Sequence, residues 1–390
     1  MSIVIFGDRF TFPDGNAATN RIHTYAKGFL ENSISVHVIC FASEYDTAGD
    51  GIIDGIFYYH PFGQRKGSKY FIVRRWQKFI KYYTTFRLIK GINRSDKVIA
   101  INSWTQLLLS QLFIFLITKY LKTNVISEHS EHPLRNYQGS SIRRIQGEII
   151  SYLGTILSDG IFCISKYLLE FYKTRGVNLK KLFLVPSTVD TSRFRTVYNS
   201  PLTFQYILYC GGLTVLKDGV DILIESFARI VKKYPDLNLV LIGEVELDKK
   251  KDIFKDLVTS LDISNRVFFL GHLSRTDVPA YLTHAKILAL ARPRSIVADA
   301  GFPSKLTEYL ATGVPVVVTA VGDIPIYLRD HENAFLSKPD NVDEFADKME
   351  YVLDNYKLAR EVASKGQELT NTVFNYNFQA KRMIDFIYSL

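Results

Sequence analysis

The chain has 390 residues, of which 47% are hydrophobic and 22% are charged. These proportions exclude a disordered chain and a multi-span membrane protein, and the length favours two α/β domains with separate cores. A formal net charge of +9 and a high content of Tyr and Phe indicate an anionic partner or surface. Cys40, Cys163 and Cys210 are far apart and lack metal-ligand spacing, which is typical of reduced thiols in a cytosolic protein.

Short β-rich runs alternate with helical stretches along the chain. In the first half the predicted strands are 3–6, 36–41, 97–101, 124–127, 160–164 and 182–185. In the second half they are 206–210, 237–242, 267–270, 287–290, 314–319 and 334–336. Nearly continuous apolar strands are typical of parallel sheets covered by helices on both faces. The sequence therefore predicts an α/β protein with two Rossmann-like, doubly wound domains that face a ligand-binding cleft.

The polar segment between these two series of strands contains the predicted domain boundary. We expect a first domain at 1–195, a linker at 196–203, a second domain at 204–372 and a terminal helix at 373–390. The terminal helix is amphipathic and can pack back on the first domain or on the second. The N-terminal apolar run belongs to the first strand and lacks the features of a signal peptide, so we expect no secretion signal.

A glycine-containing loop, GDRFTFPDGNAATNRI at 7–22, follows the first strand and enters a helix. Gly15 permits a close approach of the backbone to a ligand, whereas Asp14 or Asn16 can cap the helix. A purely structural turn would show the same residues, so both interpretations remain open at this point.

The segment between Arg65 and Arg94 contains ten Lys or Arg residues and no acidic residue, and aromatic residues are interleaved with them. A basic aromatic helix of this kind can rest on an anionic membrane surface. The alternative is a solvated helix face with a buried aromatic stripe. Single-stranded nucleic acid is not favoured, because no recognition module accompanies the segment.

An apolar stretch at 107–121 is interrupted by polar residues and is shorter than the roughly 20 residues that a membrane span needs. We therefore expect a buried crossover helix there.

The segment VISEHSEHP at 125–133 places Glu128, His129, Glu131 and His132 around the end of a strand. Imidazoles and carboxylates at this edge of a sheet can orient a hydroxyl nucleophile or assist its deprotonation. We select Glu131 and His129 for this role. The alternative is that these residues only satisfy a loop before Pro133. A metal site is not favoured, because the spacing lacks a helical pair of His residues at i and i+4.

The segment FPSKLTEYLATG at 302–313, followed by VPVVVT, predicts a helix that begins near Pro303 and ends at Gly313. Unpaired N–H groups at the helix start, together with the Ser304 hydroxyl and the Lys305 ammonium, suit a diphosphate. Glu308 lies one turn further on and can accept hydrogen bonds from two vicinal hydroxyls of a sugar. The pattern indicates a nucleotide-sugar site, and an ordinary α/β helix is the alternative.

Several motifs of the second half occur together in the order typical of one family. They are YCGGLTVLKDGVDILIESF at 209–227, LVLIGE at 239–244, VFFLGHLS at 267–274 and FPSKLTEYLATGVPVVV at 302–318. In the first half, CISKYLLEFYKTRGVNLKKLFLVPSTVDTSRF at 163–194 fits the same family. The chain resembles the retaining, two-domain (GT-B fold) glycosyltransferases of glycosyltransferase family 4, known as glycosyl transferases group 1. This resemblance implies an acceptor-binding first domain and a nucleotide-sugar-binding second domain.

The resemblance also implies roles for residues that match the family. Lys217 occupies the position of the diphosphate-binding lysine, and an Arg that many members place just before it is here Gly212. Lys305 can supply the missing charge. Gly15 and Asn16 match the loop that faces the donor diphosphate and the acceptor.

Contacts to the donor sugar and base are expected to differ from the common pattern. The family has two glutamates eight positions apart, and here the second is Glu308 while the first is Ala300. Nearby polar residues that can replace it are Arg294, Ser295 and Asp299. Gly271 and His272 match the positions at which the backbone approaches the base, although His272 also fits an ordinary surface loop.

The expected activity is retaining transfer of a sugar from a UDP-sugar or GDP-sugar to a hydroxyl acceptor, in particular a lipid-linked saccharide of a bacterial surface polysaccharide such as capsule or O-antigen. Glu131, His129 and Lys217 are the expected catalytic residues, with no metal and no further cofactor. We expect a cytoplasmic protein, peripheral on the inner face of the cytoplasmic membrane, that binds no nucleic acid. The alternatives are a catalytically silent nucleotide-sugar-binding partner protein and a sugar-nucleotide epimerase of the same fold.

Overall fold

The computed structural model describes residues 1–15, 17–41, 49–61, 68–133, 141–196, 198–245 and 253–390, and for 141–144 it describes the backbone only. Packing divides the chain into two units: unit 1 comprises Met1–Thr188 and Tyr376–Leu390, and unit 2 comprises Val189–Asn375. Residues 189–195 and the predicted linker at 196–203 thus fall in unit 2, and the terminal helix from Tyr376 onward falls in unit 1.

Unit 1 is built on an eight-stranded sheet in the described residues, with the order β3-β4-β2-β1-β5-β6-β7-β8. Its strands are β1 (Ser2–Gly7), β2 (Ser35–Cys40), β3 (Gly51–Ile53), β4 (Ile56–Tyr59), β5 (Val98–Trp104), β6 (Asn124–His129), β7 (Gly160–Cys163) and β8 (Leu182–Leu184). Only β3 and β4 pair in the antiparallel sense within this described sheet. This short hairpin was not predicted from the sequence, although its turn at Asp54 and Gly55, both with positive φ, has a typical hairpin sequence.

Helices cover both faces of this sheet. They are α1 (Ala17–Glu31), α2 (Phe71–Ser95), α3 (Leu108–Leu121), α4 (Ser141–Ile156), α5 (Lys166–Lys173) and the terminal helix α14 (Tyr376–Ser389). Ile22 and Phe29 of α1 and Met383 of α14 belong to the core of one face. Ile89 of α2 and Ile114 of α3 belong to the core of the opposite face.

Unit 2 is built on a six-stranded parallel sheet in the described residues, with the order β11-β10-β9-β12-β13-β14. Its strands are β9 (Gln205–Cys210), β10 (Leu237–Ile242), β11 (Val267–Gly271), β12 (Ile287–Leu290), β13 (Val316–Thr319) and β14 (Phe335–Ser337). Its helices are α6 (Val220–Ile230), α7 (Ile253–Ser260), α8 (Val278–His284), α9 (Ile296–Ala300), α10 (Ser304–Ala311), α11 (Ile324–Tyr327), α12 (Val342–Asp354) and α13 (Tyr356–Glu368). Every strand predicted from the sequence overlaps an observed strand, so the prediction of two Rossmann-like parallel sheets is confirmed.

The structure corrects one expectation and excludes one alternative for helices of unit 1. The crossover helix α3 is buried only along one side, at Ser110, Ile114, Ile117 and Thr118, and its opposite side is exposed. The aromatic residues of α2 do not form a buried stripe, because the buried residues of α2 are Lys81, Thr85, Ile89 and Ile92. Each of these helices packs part of its apolar surface against the core and exposes the rest.

Candidate functional site

The start of α10 lies beside the carboxyl end of β9 in unit 2. Pro303 is the residue before the helix, and α10 begins at Ser304 as predicted. The Tyr309 hydroxyl accepts a hydrogen bond from the Cys210 backbone N–H at 2.7 Å, which holds the helix against the end of the strand. Because the first N–H groups of a helix have no partner within the helix, this position is suited to an anion.

A cluster of charges surrounds this helix start. Lys305 Nζ lies 2.8 Å from Asp218 Oδ1 and 2.6 Å from the Tyr209 hydroxyl. Arg292 lies two residues after the end of β12 and is only 2% exposed. Burial alone would raise the pKa of Asp218, but the charges of Lys305, Arg292 and Lys217 outweigh burial and hold that pKa below its ordinary value. The three cations Lys217, Arg292 and Lys305 thus outnumber the carboxylates of Asp218 and of Asp299, which also acts on Arg292. This leaves an excess of positive charge for an anionic ligand.

Lys217 and Lys305 were predicted from the sequence, whereas Asp218 and Arg292, which interact with them in this cluster, were not. Asp218 follows Lys217 directly, and its carboxylate also receives a hydrogen bond from Thr214 Oγ1 at 3.2 Å. A charged residue just after an apolar strand, as in LALAR at 288–292, is the signal that could have identified Arg292.

The turn after β9 passes close to the Lys305 side chain. A Cβ atom at Gly211 would lie 2.5 Å from Lys305 Cε and Nζ, so only glycine leaves the ammonium in place. A Cβ atom at Gly212 would meet nothing nearer than the Thr214 methyl group at 4.0 Å. The position at which many relatives carry an Arg is therefore open and exposed.

Glu308, the predicted hydroxyl ligand, forms an ion pair within unit 2. Arg193 Nη1 lies 2.6 Å from Glu308 Oε1, and both side chains are mostly buried. Arg193 Nη2 donates a second hydrogen bond to the Arg275 carbonyl at 2.9 Å. Arg193 was not predicted from the sequence. It holds in place the carboxylate of Glu308, for which we predict hydrogen bonds with sugar hydroxyls.

The residues predicted to replace the absent glutamate lie around α9. Ser295 is the N-cap of this helix, because its hydroxyl oxygen accepts a hydrogen bond from the Ala298 N–H at 3.1 Å. Arg294 is exposed and Asp299 is half-buried. Ala300 is completely buried, so the position of the missing carboxylate is filled by packing.

Gly271 is the last residue of β11, and His272 follows it. Gly271 has a φ of 67°, and its carbonyl accepts a hydrogen bond from the Gly243 N–H at 2.8 Å. His272 is exposed, as expected both for a base contact and for a surface loop.

In unit 1 the glycine-containing loop is described up to Gly15, whereas Asn16 lies outside the described residues. A Cβ atom at Gly15 would collide with the hydroxyls of Thr11 and Thr19. Thr19 Oγ1 donates a hydrogen bond to the Thr11 carbonyl at 2.6 Å, which closes the loop against the first turn of α1.

The polar residues of 125–133 occupy different environments. Glu128 is within β6, and it is fully buried with one oxygen 2.9 Å from Arg21 Nε. Burial raises the pKa of Glu128 above its ordinary value, although Arg21 opposes this shift. Glu131 is half-buried, and the ring of His132 packs against Phe171.

His129 is the last residue of β6 and is 9% exposed. Its Nδ1 atom shares a hydrogen bond of 2.6 Å with the Tyr172 hydroxyl. Burial lowers the pKa of His129 to about 4, so the imidazole is neutral near pH 7. A neutral, buried ring is suited to holding its neighbours in place, whereas proton exchange with a ligand near neutral pH is disfavoured.

Within the described ranges, no three His, Cys, Asp or Glu side chains form a group that could hold a metal ion. In the same part of the chain, no helix combines the length and apolar character needed to cross a bilayer.

Residues 190–369 match the family model of glycosyl transferases group 1. This range coincides closely with unit 2, which contains the helix start, the charge cluster and the Arg193–Glu308 pair. The predicted resemblance to glycosyl transferases group 1 is therefore confirmed, and the matched region is a glycosyl transferases group 1 domain.

The chain is also similar to individual proteins. It is 29% identical over 162 residues to an uncharacterized glycosyltransferase of Haemophilus influenzae, a match that covers 41% of this chain and 43% of the relative. It is 24% identical to the GDP-mannose-dependent monoacylated alpha-(1-6)-phosphatidylinositol monomannoside mannosyltransferase of Corynebacterium glutamicum, covering 64% of this chain and 65% of the relative. The chain thus spans about half the length of the curated relatives that it matches.

Similarity of fold extends over the whole chain. The crystal structure of HepE from Anabaena in complex with UDP-glucose aligns with a TM-score of 0.71 at 16% identity and covers 100% of both chains. At this identity the likeness concerns the fold alone, and the predicted α/β architecture of the GT-B glycosyltransferases is confirmed.

Proposed function

We propose that this protein is a glycosyltransferase that moves a sugar from a nucleotide diphosphate sugar to a hydroxyl acceptor with retention of configuration. The observation that carries the proposal is the excess of positive charge at the start of α10, where Lys217, Arg292 and Lys305 share the carboxylate of Asp218. A diphosphate leaving group gains negative charge in the transition state, and fixed cations and helix N–H groups stabilise that charge.

We assign the remaining roles to the residues predicted from the sequence. Lys217, Ser304 and Lys305 bind the diphosphate beside Gly212, and Glu308 accepts hydrogen bonds from hydroxyls of the donor. The ion pair with Arg193 orients the Glu308 side chain. Contacts to the base at Gly271 and His272, and contacts to the sugar at Arg294, Ser295 and Asp299, are further parts of this proposal.

Unit 1 supplies the acceptor side in this proposal. Gly15 and Asn16 approach the diphosphate and the acceptor, and Glu131 orients the acceptor hydroxyl. His129 acts through Tyr172 as a neutral positioning group for this segment. The leaving phosphate takes the proton of the acceptor hydroxyl on the same face, so neither an enzyme nucleophile nor a metal ion is needed.

We further propose that the acceptor is a lipid-linked saccharide of a bacterial surface polysaccharide and that the protein is peripheral on the inner face of the cytoplasmic membrane. The Corynebacterium relative, whose name specifies a monoacylated phosphatidylinositol monomannoside, supports a lipid-linked class of acceptor. The exposed basic and aromatic residues of α2 support contact with a membrane.

Mass spectrometry of reactions that contain a panel of UDP-sugars and GDP-sugars, membrane lipid extract and the purified protein tests this function. Transfer of one sugar to a lipid, lost in Glu308→Ala and kept in the surface control Lys357→Ala, is the expected result. Consumption of no donor by a protein that nevertheless binds one would favour the catalytically silent alternative, to which Gly212 and Ala300 point. Conversion of a donor without any acceptor would favour the epimerase.

A further inference from the structure

Helices α2, α3 and α4 form one layer on the same face of the unit 1 sheet. They connect β4 to β5, β5 to β6 and β6 to β7, which all lead in the same direction along the sheet. Parallel crossovers of one handedness then place their helices on the same face. In agreement, α2 packs beside α3 and α3 packs beside α4.

Each of the three helices carries a second apolar stripe on the side away from the sheet. In α2 the exposed apolar residues are Phe71, Ile72, Val73, Trp76, Phe79, Ile80 and Tyr83. In and just before α3 they are Leu107, Leu109, Leu112, Leu116 and Tyr120. In α4 they are Ile145, Ile149, Tyr152 and Ile156. Steps of three and four residues join 72, 76, 79 and 83 in α2, 109, 112, 116 and 120 in α3, and 145, 149, 152 and 156 in α4. Each helix therefore has one outward apolar side, and we call the three together the three-helix face.

The three-helix face is too apolar for an ordinary solvated surface. Trp76 is 63% exposed, Leu116 is 64% exposed and Ile149 is 53% exposed. An aromatic side chain has a surface of about 150–250 Å². The exposed aromatic side chains of α2 alone therefore expose on the order of 500 Å² to solvent. The largest apolar patch of a typical monomer is about 300–600 Å² in total, and larger patches mark interaction sites.

The charge of this face indicates what covers it. Helix α2 contains seven Lys or Arg residues, of which Lys81 alone is buried, and no acidic residue, and α3 contains no acidic residue. The sequence of α4 contains one acidic residue, Glu148, and two basic residues, Arg143 and Arg144. Two copies of the chain related by a two-fold axis would bring this cationic surface against itself, which is unfavourable. An anionic phospholipid bilayer matches both the apolar stripes and the positive charge.

We propose that the three-helix face is one continuous surface for binding an anionic phospholipid bilayer, in which α3 and α4 contribute as much as α2. The proposal rests on the proposed function only for its account of why a membrane is needed, namely a lipid-linked acceptor. The apolar stripes enter the boundary between headgroups and acyl chains, while the cations of α2 contact anionic headgroups. Unit 1 thereby binds the bilayer with the layer opposite to α1 and α14.

Vesicle flotation of the full-length protein tests this proposal. The probes are vesicles of phosphatidylglycerol mixed with phosphatidylcholine, and vesicles of phosphatidylcholine alone. The key variant is Leu116→Asn combined with Ile149→Asn, which changes α3 and α4 and leaves every charge of α2 intact. The matched control is Leu358→Asn, which removes an exposed leucine of α13 in unit 2.

The wild type is expected to float with the phosphatidylglycerol vesicles and to bind pure phosphatidylcholine much more weakly. The α3 and α4 variant is expected to lose roughly tenfold in vesicle affinity, because two apolar side chains no longer enter the bilayer. Leu358→Asn is expected to bind as the wild type does. Unchanged binding of the α3 and α4 variant would overturn the proposal, and so would equal binding to both kinds of vesicle.

Light scattering provides a second arm. A wild type that is dimeric without lipid, and a variant that is monomeric, would assign the three-helix face to a second copy of the chain and overturn the lipid proposal. Vesicle binding requires neither a donor nor transfer. Vesicle binding without sugar transfer would therefore refute the proposed function alone, and sugar transfer without vesicle binding would refute this inference alone.

Discussion

Acidification of the medium is expected to destabilise unit 1 through His129. This imidazole is buried and its pKa is about 4 in the folded protein, whereas an unfolded chain has a His pKa of about 6.5. Below pH 6.5 this His takes up a proton in the unfolded chain but not in the folded protein. The free energy of unfolding therefore decreases as the pH is lowered from 6.5 to about 4. The gap of about 2.5 pH units corresponds to about 3 kcal/mol.

Tryptophan fluorescence reports this transition in unit 1 alone, because the chain has two tryptophans, Trp76 and Trp104, and both lie in unit 1. Denaturant unfolding is measured at several pH values for the wild type and for His129→Gln. Because His37 is also buried and its pKa is also lowered, the difference between the two proteins is the informative quantity. The wild type is expected to lose about 3 kcal/mol more than the variant between pH 6.5 and pH 4. Equal losses in both proteins would refute the assignment of a neutral, buried His129.

The remaining predictions concern the charge cluster, the turn after β9 and the core thiols. Asp218→Asn leaves the buried Lys305 ammonium without its counter-ion and is expected to cost about 3–5 kcal/mol in chemical unfolding, and a cost below about 1 kcal/mol would contradict the ion pair. Gly211→Ala is expected to displace Lys305 and weaken binding of UDP or GDP in calorimetry, while Gly91→Ala in unit 1, where nothing lies within 4 Å of an added Cβ atom, leaves binding unchanged, and equal effects would contradict the described turn. Burial raises the pKa of the Cys40 thiol to about 12, so iodoacetamide is expected to label it at pH 8 only in denaturant, and rapid labelling of the native protein would show that the thiol is accessible.

The parallel strands and the start of α10 could be predicted from the sequence because their signals are local. Apolar runs identify buried strands, and Pro303 with Gly313 delimits the helix whatever surrounds it. The short hairpin of β3 and β4 was missed because its strands are brief and only partly buried.

Partners distant in sequence could not be predicted. The carboxylate of Asp218 contacts Lys305, and the guanidinium of Arg193 contacts Glu308. The two residues of each pair are far apart in sequence, and only the folded chain brings them together. For the same reason the environment of His129 was invisible in the motif SEHSEH at 127–132. That motif shows which groups are near a strand end and does not show which side chains face the core.

Helix α3 shows a further limit of sequence patterns. Its apolar residues surround much of the helix, a pattern that predicts burial on all sides. The structure covers only the side with Ile114 and Ile117 and leaves Leu112 and Leu116 exposed. Apolar residues alone cannot distinguish protein core from membrane contact, because both environments exclude water.

The central claim is that a nucleotide diphosphate binds at the start of α10, and calorimetric titration with UDP and GDP tests it most directly. The proteins to compare are the wild type, Lys217→Met and the exposed control Lys357→Met. Binding of one nucleotide to the wild type and to the control, weakened roughly tenfold or more in Lys217→Met, is the result that our account predicts, because a charged hydrogen bond contributes about 1.5–3 kcal/mol. Equal affinity in all three proteins, or no binding of either nucleotide to the wild type, would contradict it.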